Sequence, residues 1–205
     1  MAASDQDKTA PAQQPFIVRF YGEGAVDDEG RTLDEILDFN DDKLEGYHDF
    51  IQVIFPLPER SPINPSAPII NETVRDAFAE NEVLRDNLFR ALARMANFYA
   101  FDVSGTKDDP SFEPKARFER LAEQTWRTRM DHNHLRITRI IRCLRILGLE
   151  QAALNFYDAL VANKGAEVSA RSLMYWERAA KRPLHLRPDE ADEEAAGIAW
   201  LREAS

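Results

Sequence analysis

The sequence predicts an all-α fold, a compact and irregular helical bundle of about seven to nine helices in a single domain. Apolar residues recur at three- and four-residue steps through most of the chain. Thr, Asn and Ser stand ahead of those stripes, where helix N-caps belong. No segment repeats with a period of roughly 20 to 50 residues, which disfavours a solenoid. With 205 residues, 44% of them hydrophobic and including 12 Phe and 3 Trp, the chain can fill one sizeable core.

Residues 1–15, rich in Ala, Gln, Asp and Pro, are expected to form a disordered leader. They lack the apolar run of about 7 to 15 residues that a secretory signal needs. The aromatic and β-branched run at 16–21 precedes Gly22 and Gly24 and reads as a docked extended segment or a brief strand, the one place where a strand pair is expected. Thr32 and Glu35 have capping-box spacing and open a short helix over 33–39. From Asp41 onward Leu44, Tyr47, Ile51, Ile54 and Phe55 form one buried helical stripe, ended by Pro56 and Pro58. Five prolines make 56–68 a stiff extended crossing.

Asn71 and Asn81 are positioned to cap two helices, the first reaching about residue 79 and the second carrying Leu84, Leu88, Leu92, Met95 and Tyr99. Gly105 and the polar residues up to Pro110 break the helical period. Amphipathic segments follow at 115–130 and 135–147, the latter stopped by Gly148. Two more helices are expected at 150–162 and 169–181, with Ser169 as a cap and Leu173, Trp176 and Ala180 facing inward. This core domain, residues 16–182, is followed by an acidic C-terminal helix or tail at 183–205. There Pro188 and the carboxylates of Asp189, Glu190, Asp192, Glu193 and Glu194 suit a helical first turn.

Lys plus Arg total 26 against 36 Asp plus Glu, a formal charge of −10, which argues against nucleic acid as a partner. Cys143 is the lone cysteine and cannot form an internal disulfide, so a reducing compartment is expected, cytoplasmic or, in a eukaryote, nuclear. No apolar stretch approaches the roughly 18 residues of a membrane span.

Four strings stand in a specific order. They are Phe20-Tyr21-Gly22, then Tyr47-His48-Asp49-Phe50-Ile51-Gln52-Val53-Ile54-Phe55-Pro56, then Asn64-Pro65, then His132-Asn133-His134-Leu135-Arg136-Ile137-Thr138-Arg139-Ile140-Ile141. In order and spacing they resemble the conserved N-terminal domain of the opioid growth factor receptor family, a likeness spanning about residues 16–181. Val53 stands where the family motif often carries Trp, and the chain carries no long repeat-bearing tail like that of the animal receptors. The resemblance implies binding of a short opioid peptide, the property of the nuclear-associated animal members.

If residues 41–55 form one helix, Asp41, Glu45, His48 and Gln52 make a polar row beside its apolar stripe. Arg136 and Arg139 lie at the edge of the buried face of the later helix, while Arg142 and Arg145 point outward. His132, Asn133 and His134 stand at that helix's N-terminus, where backbone amides and imidazoles can converge on an anion. The same residues would also serve as a solvated flank, an internal salt bridge and an N-cap.

The leading expectation is a polar inter-helical pocket for a small peptide or small-molecule ligand, with Tyr47, Gln52, Asn64, Asn133 and Arg139 as binding residues. The alternative is a cofactor-independent isomerase, cyclase or lyase, with His48 or His134 as general acid or base and Arg136 stabilising an anion. Both need His48, Gln52, His134 and Arg136 in one cleft. His48, His132, His134 and Asp131 have metal-ligand chemistry, but histidines two residues apart diverge on a helix, so no metal is assigned. No cofactor is assigned either, since the chain has no Gly-rich phosphate loop, nucleophile elbow, paired CxxC or HExxH string.

Overall fold

The aromatic run at the start of the chain winds into a helix instead of lying extended. Helix α1 (Phe16–Glu23) buries Ile17, Val18, Phe20 and Tyr21 and closes at Gly24 in the left-handed region, φ 70°. Long-range bonds override the strand preference of this short run. The Tyr21 hydroxyl donates to the Ile54 carbonyl, and Asn87 Nδ2 donates to the Tyr21 carbonyl at 2.6 Å. The computed structural model describes residues 14–61 and 64–202, so most of the expected disordered leader lies outside the described residues.

Helix α2 (Leu33–Leu37) opens with the expected capping box between Thr32 and Glu35. The single helix expected over 41–55 is two: α3 (Asp41–Gly46), capped by Asn40, and α4 (Phe50–Ile54). Residues 47–49 form a non-helical joint between them, extended at Tyr47 and bent at Asp49, because the Leu44 and Tyr47 carbonyls are taken by Arg136, far away in sequence. The proline-rich crossing is extended, and Leu57 bridges Ile69 in parallel. Asn71 and Asn81 accept from Val74 and Val83 N–H and cap α5 (Glu72–Glu80) and α6 (Glu82–Phe98).

The all-α expectation is overturned by an antiparallel hairpin, β1 (Phe101–Thr106) paired with β2 (Asp109–Pro114), far from the run at 16–21. Phe101 faces Pro114 and Val103 faces Phe112, so the residues that break the helical period mark a two-residue strand alternation. Lys107 at the turn reaches Glu82 and Asp86 at 2.8 and 3.1 Å and ties the hairpin to the start of α6. Ala100 enters β1 with φ 73°, a left-handed conformation that ends α6 where glycine is usual.

Helix α7 (Phe118–Glu123) is much shorter than the amphipathic segment expected there. Helix α8 (His132–Ile146) begins at an Asp131 cap, three residues earlier than expected, and Gly148 follows it at φ 86°. Helices α9 (Glu150–Ala162) and α10 (Ala170–Lys181) match expectation, with Ser169 capping the second and Trp176 and Ala180 fully buried. Among the described residues of the acidic C-terminal stretch only α11 (Ala199–Arg202) is helical. The Pro188, Glu190 and Arg187 carbonyls turn instead toward the guanidiniums of Arg178 and Arg182.

The described residues therefore hold eleven helices, more than expected, and no helix among them is long and apolar enough to cross a membrane. Helices α1, α5 and α6 pack together, as do α8, α9 and α10, and the hairpin bridges the groups with β1 on α6 and β2 on α9. One hydrophobic core runs from Ile17 to Leu201. Within it Trp126 Nε1 donates to the Tyr99 carbonyl and Trp176 Nε1 to the His134 carbonyl, each at 3.0 Å.

The bridging role of the hairpin makes Gly105 critical. Its φ is 84°, and a Cβ added there would meet the Asp109 carbonyl oxygen at 2.5 Å. Gly105→Ala is expected to cost about 2 kcal/mol, a fall of roughly 4 to 8 °C in melting temperature for a domain of this size. An unchanged melting temperature would show that the turn is free to reshape.

Candidate functional site

Asp131 breaks the chain before α8 and accepts from the Asn133 N–H at 2.8 Å, so the helix start is fixed by a local cap. Asn133 is fully buried and serves as a hub. Its Nδ2 donates to Glu45 Oε2 at 3.1 Å and to the Thr125 carbonyl at 3.0 Å, while its Oδ1 accepts from Arg136 at 3.1 Å and from the Tyr99 hydroxyl at 3.4 Å. Every polar atom of the carboxamide is used, as burial requires.

Arg136 donates to the Leu44 and Tyr47 carbonyls at 2.8 and 2.6 Å, and its guanidinium lies 5.5 Å from the Phe50 ring centre. Arg139 donates to the Phe55 carbonyl at 3.1 Å, at the end of α4. Arg142 is buried, not outward-pointing: it holds the Leu186 carbonyl at 2.7 Å and Glu59 at 2.6 Å. Arg145 also turns inward, to the Ala179 and Arg182 carbonyls at the end of α10. Burial lowers the pKa of Arg136, Arg139 and Arg142 from the ordinary arginine value, yet guanidinium remains charged at neutral pH.

The two histidines of the α8 start part company. His134 is buried on the α10 side, its Nε2 donating to the Trp126 carbonyl at 2.7 Å and its Nδ1 accepting from the Ser172 hydroxyl at 2.8 Å. Its ring meets Trp176 edge-on at 5.4 Å. With both nitrogens engaged, it lies among Trp126, Ser172 and Trp176, away from the partners of His48. His132 faces the other way, 3.2 Å from Asp131 Oδ1, 3.3 Å from Glu45 Oε1, and 5.0 Å between ring centres from His48. Desolvation, reinforced by Arg136 and His48, holds His132 below the usual histidine pKa although Glu45 and Asp131 oppose the shift. His48 is exposed and its Nδ1 contacts the Gly46 carbonyl at 3.0 Å.

Of the residues expected in one cleft, His48 and Arg136 adjoin the same His132, whereas His134 is held on the α10 side. Gln52 keeps a buried Oε1 without a hydrogen bond, on α4. Tyr47 is half exposed and packs edge-on against Phe39 at 5.7 Å. Asn64 accepts from the Ser66 hydroxyl at 2.8 Å and, of the expected residues, is the one that lines a sizeable cavity.

That cavity, about 470 Å³, opens between α1, the turn at 27–31, the α3–α4 joint and the crossing at 64–68. Phe16, Val53 and Pro68 give it apolar walls, and among the described residues Asp27, Asp28, Glu29 and Asp49 line its polar side against one cation, Arg31. Asp27 accepts from the Glu29 and Arg31 N–H groups at 3.0 and 2.9 Å, which folds the turn around its own carboxylate. Arg31 then bridges Asp27 at 2.6 Å and Asp49 at 2.5 Å. Sequence reasoning missed Asp27, Arg31 and Asp49, and the one local signal was the turn glycine Gly30.

The family model described as "Opioid growth factor receptor (OGFr) conserved region" matches residues 13–187. The opioid growth factor receptor of Rattus norvegicus is 34% identical over 160 residues, 72% of this chain and 26% of its own length. That of Mus musculus is 34% identical over 147 residues, covering 67% and 22%. Opioid growth factor receptor-like protein 1 of Xenopus tropicalis is 28% identical over 158 residues, covering 72% and 30%. The chain spans only about a quarter of the length of these relatives. No solved structure matches it.

Two predictions separate the histidines. His134→Ala removes two buried hydrogen-bonding groups and is expected to lower stability by about 2 kcal/mol in urea titration, whereas no loss would mean the pocket refills with water. His132 has the opposite character. Because its folded pKa lies below its unfolded value, its contribution to stability is complete above pH ~6.5 and disappears as pH falls through the folded value. His132→Gln should flatten the acid limb of the stability profile between pH 7 and 5. A profile as steep as the wild type would assign the acid sensitivity to other groups.

Proposed function

The chain belongs to the opioid growth factor receptor conserved-region family, and on that premise we propose that it is a ligand-binding module whose acidic cavity takes a cationic peptide end or small cationic molecule. The relatives are named as receptors for an opioid growth factor, and a peptide ligand is the reading carried to this chain. The observation that supports it is the cavity's composition: four carboxylates face one guanidinium beside the apolar surfaces of Phe16 and Val53. A cavity of about 470 Å³ falls within the range of roughly 300 to 1,000 Å³ usual for small-ligand pockets. Arg31 is held by the buried Asp27 and also pairs with Asp49, whose side chain is 43% exposed, so a ligand ammonium can reach the Asp49 carboxylate from the solvent side.

The test uses opioid growth factor as the probe peptide in calorimetric titration with the full chain. Binding is expected to weaken about tenfold, or about 1.4 kcal/mol, when Asp49 is replaced by Asn, and to weaken further when the peptide's amino terminus is acetylated. Affinity should also fall with rising salt. Equal affinity of the acetylated and free peptides would remove the charge argument, and absence of any binding would remove the reading itself.

A further inference from the structure

The geometry points to a divalent transition-metal site, of zinc type, formed by Glu45, Asp131 and His132 with His48 as the fourth ligand. Glu45, Asp131 and His132 each offer one ligand atom, and these atoms all lie within 4.8 Å of one another. Zinc bonded at about 2.0 to 2.2 Å sets its ligand atoms about 3.5 Å apart, close to the 3.3 Å already separating His132 from Glu45. His48 stands 5.0 Å from His132 between ring centres, on the exposed joint before α4. The cluster shares no residue with the lining of the acidic cavity, so metal binding there does not depend on the proposed peptide binding.

Three observations favour a metal over a plain salt bridge. His132 Nε2 is buried and has no hydrogen-bond partner, because its approach to Glu45 lacks hydrogen-bond geometry; it is a Lewis base facing a carboxylate with nothing shared between them. Asn133 orients both carboxylates: its Nδ2 holds Glu45 Oε2, the oxygen turned away from His132, and its N–H holds Asp131 Oδ1, which also faces His132 Nδ1 at 3.2 Å. Such outer bonds fix ligand direction in metal sites. The His48 Nδ1 at the Gly46 carbonyl is best placed to donate there, which leaves the Nε2 lone pair free in the form that binds metal.

The donor set selects the ion. Two imidazoles with two carboxylates suit zinc, cobalt or manganese, whereas calcium and magnesium require all-oxygen shells. Two carboxylates near the buried cation Arg136 leave a net negative local charge, which favours a bound cation.

Untagged, metal-depleted full chain titrated with zinc chloride in a calorimeter should bind one zinc per chain, and cobalt chloride should give the visible bands of a four-coordinate complex. His132→Ala should weaken zinc at least tenfold and His48→Ala severalfold, with circular dichroism unchanged because both side chains are partly exposed. His185→Ala, far along the chain, should bind zinc as the wild type does, and magnesium chloride should not compete. Absence of saturable one-to-one binding, wild-type affinity in His132→Ala, or an equal loss in His185→Ala would each overturn the site.

Discussion

Helix ends closed by guanidinium groups are the constraint on which this structure depends. A helix leaves its last carbonyls without partners and concentrates negative potential there, so a buried helix end needs a donor and prefers a cation. Here α8 carries Arg136, Arg139, Arg142 and Arg145 at three-residue steps. Three of them close the ends of α3, α4 and α10, and Arg142 holds the Leu186 carbonyl. Arg85 does the same for α5, donating to the Ala79 carbonyl at 2.6 Å, and Arg94 holds the Phe39 carbonyl at 2.7 Å. Helices of five or six residues such as α3 and α4 are too short to stand alone. Their existence follows from the clamp.

The clamp also shapes the candidate sites. By drawing off the Leu44 and Tyr47 carbonyls, Arg136 prevents α3 from running into α4 and leaves a non-helical joint at 47–49. The joint sends Asp49 to Arg31 at the acidic cavity and His48 to His132 at the other polar cluster. One arginine thereby positions neighbouring side chains in two different places. His134, expected in the same cleft as His48, is instead a packing element between α8 and α10.

Much of the helical skeleton was legible because its signals are local. The capping box at Thr32, the Asn71, Asn81 and Ser169 caps and the apolar periods of α6, α8, α9 and α10 all lie within a few residues of what they control. What failed was set by distant partners. The run at 16–21 has a composition that fits strand or helix, and its choice is made against Ile54 and Asn87. The hairpin hid behind Gly105 and Pro110, which punctuate a strand pair as readily as a loop. For the candidate sites, the sequence grouped His48, His132 and Asp131 with His134 by ligand type and assigned no metal, while Glu45 was placed only in the polar row of the expected 41–55 helix, because the bond that joins it to Asn133 spans 88 positions of sequence.

The inward placement of arginines has a consequence for how the molecule meets others. Arg136, Arg142 and Arg182 are buried, whereas Asp27 is the one buried carboxylate among the described residues. Cations are thus withdrawn from the exterior of a chain that already has a formal charge of −10, leaving a predominantly anionic shell. Diffusing cations are drawn toward such a shell and like-charged macromolecules are turned away, with a range set by the Debye length of about 8 Å in physiological salt. Selection among encounters therefore begins in the solvent layer, before any side chain is touched, and its strength follows the ionic strength of the surroundings.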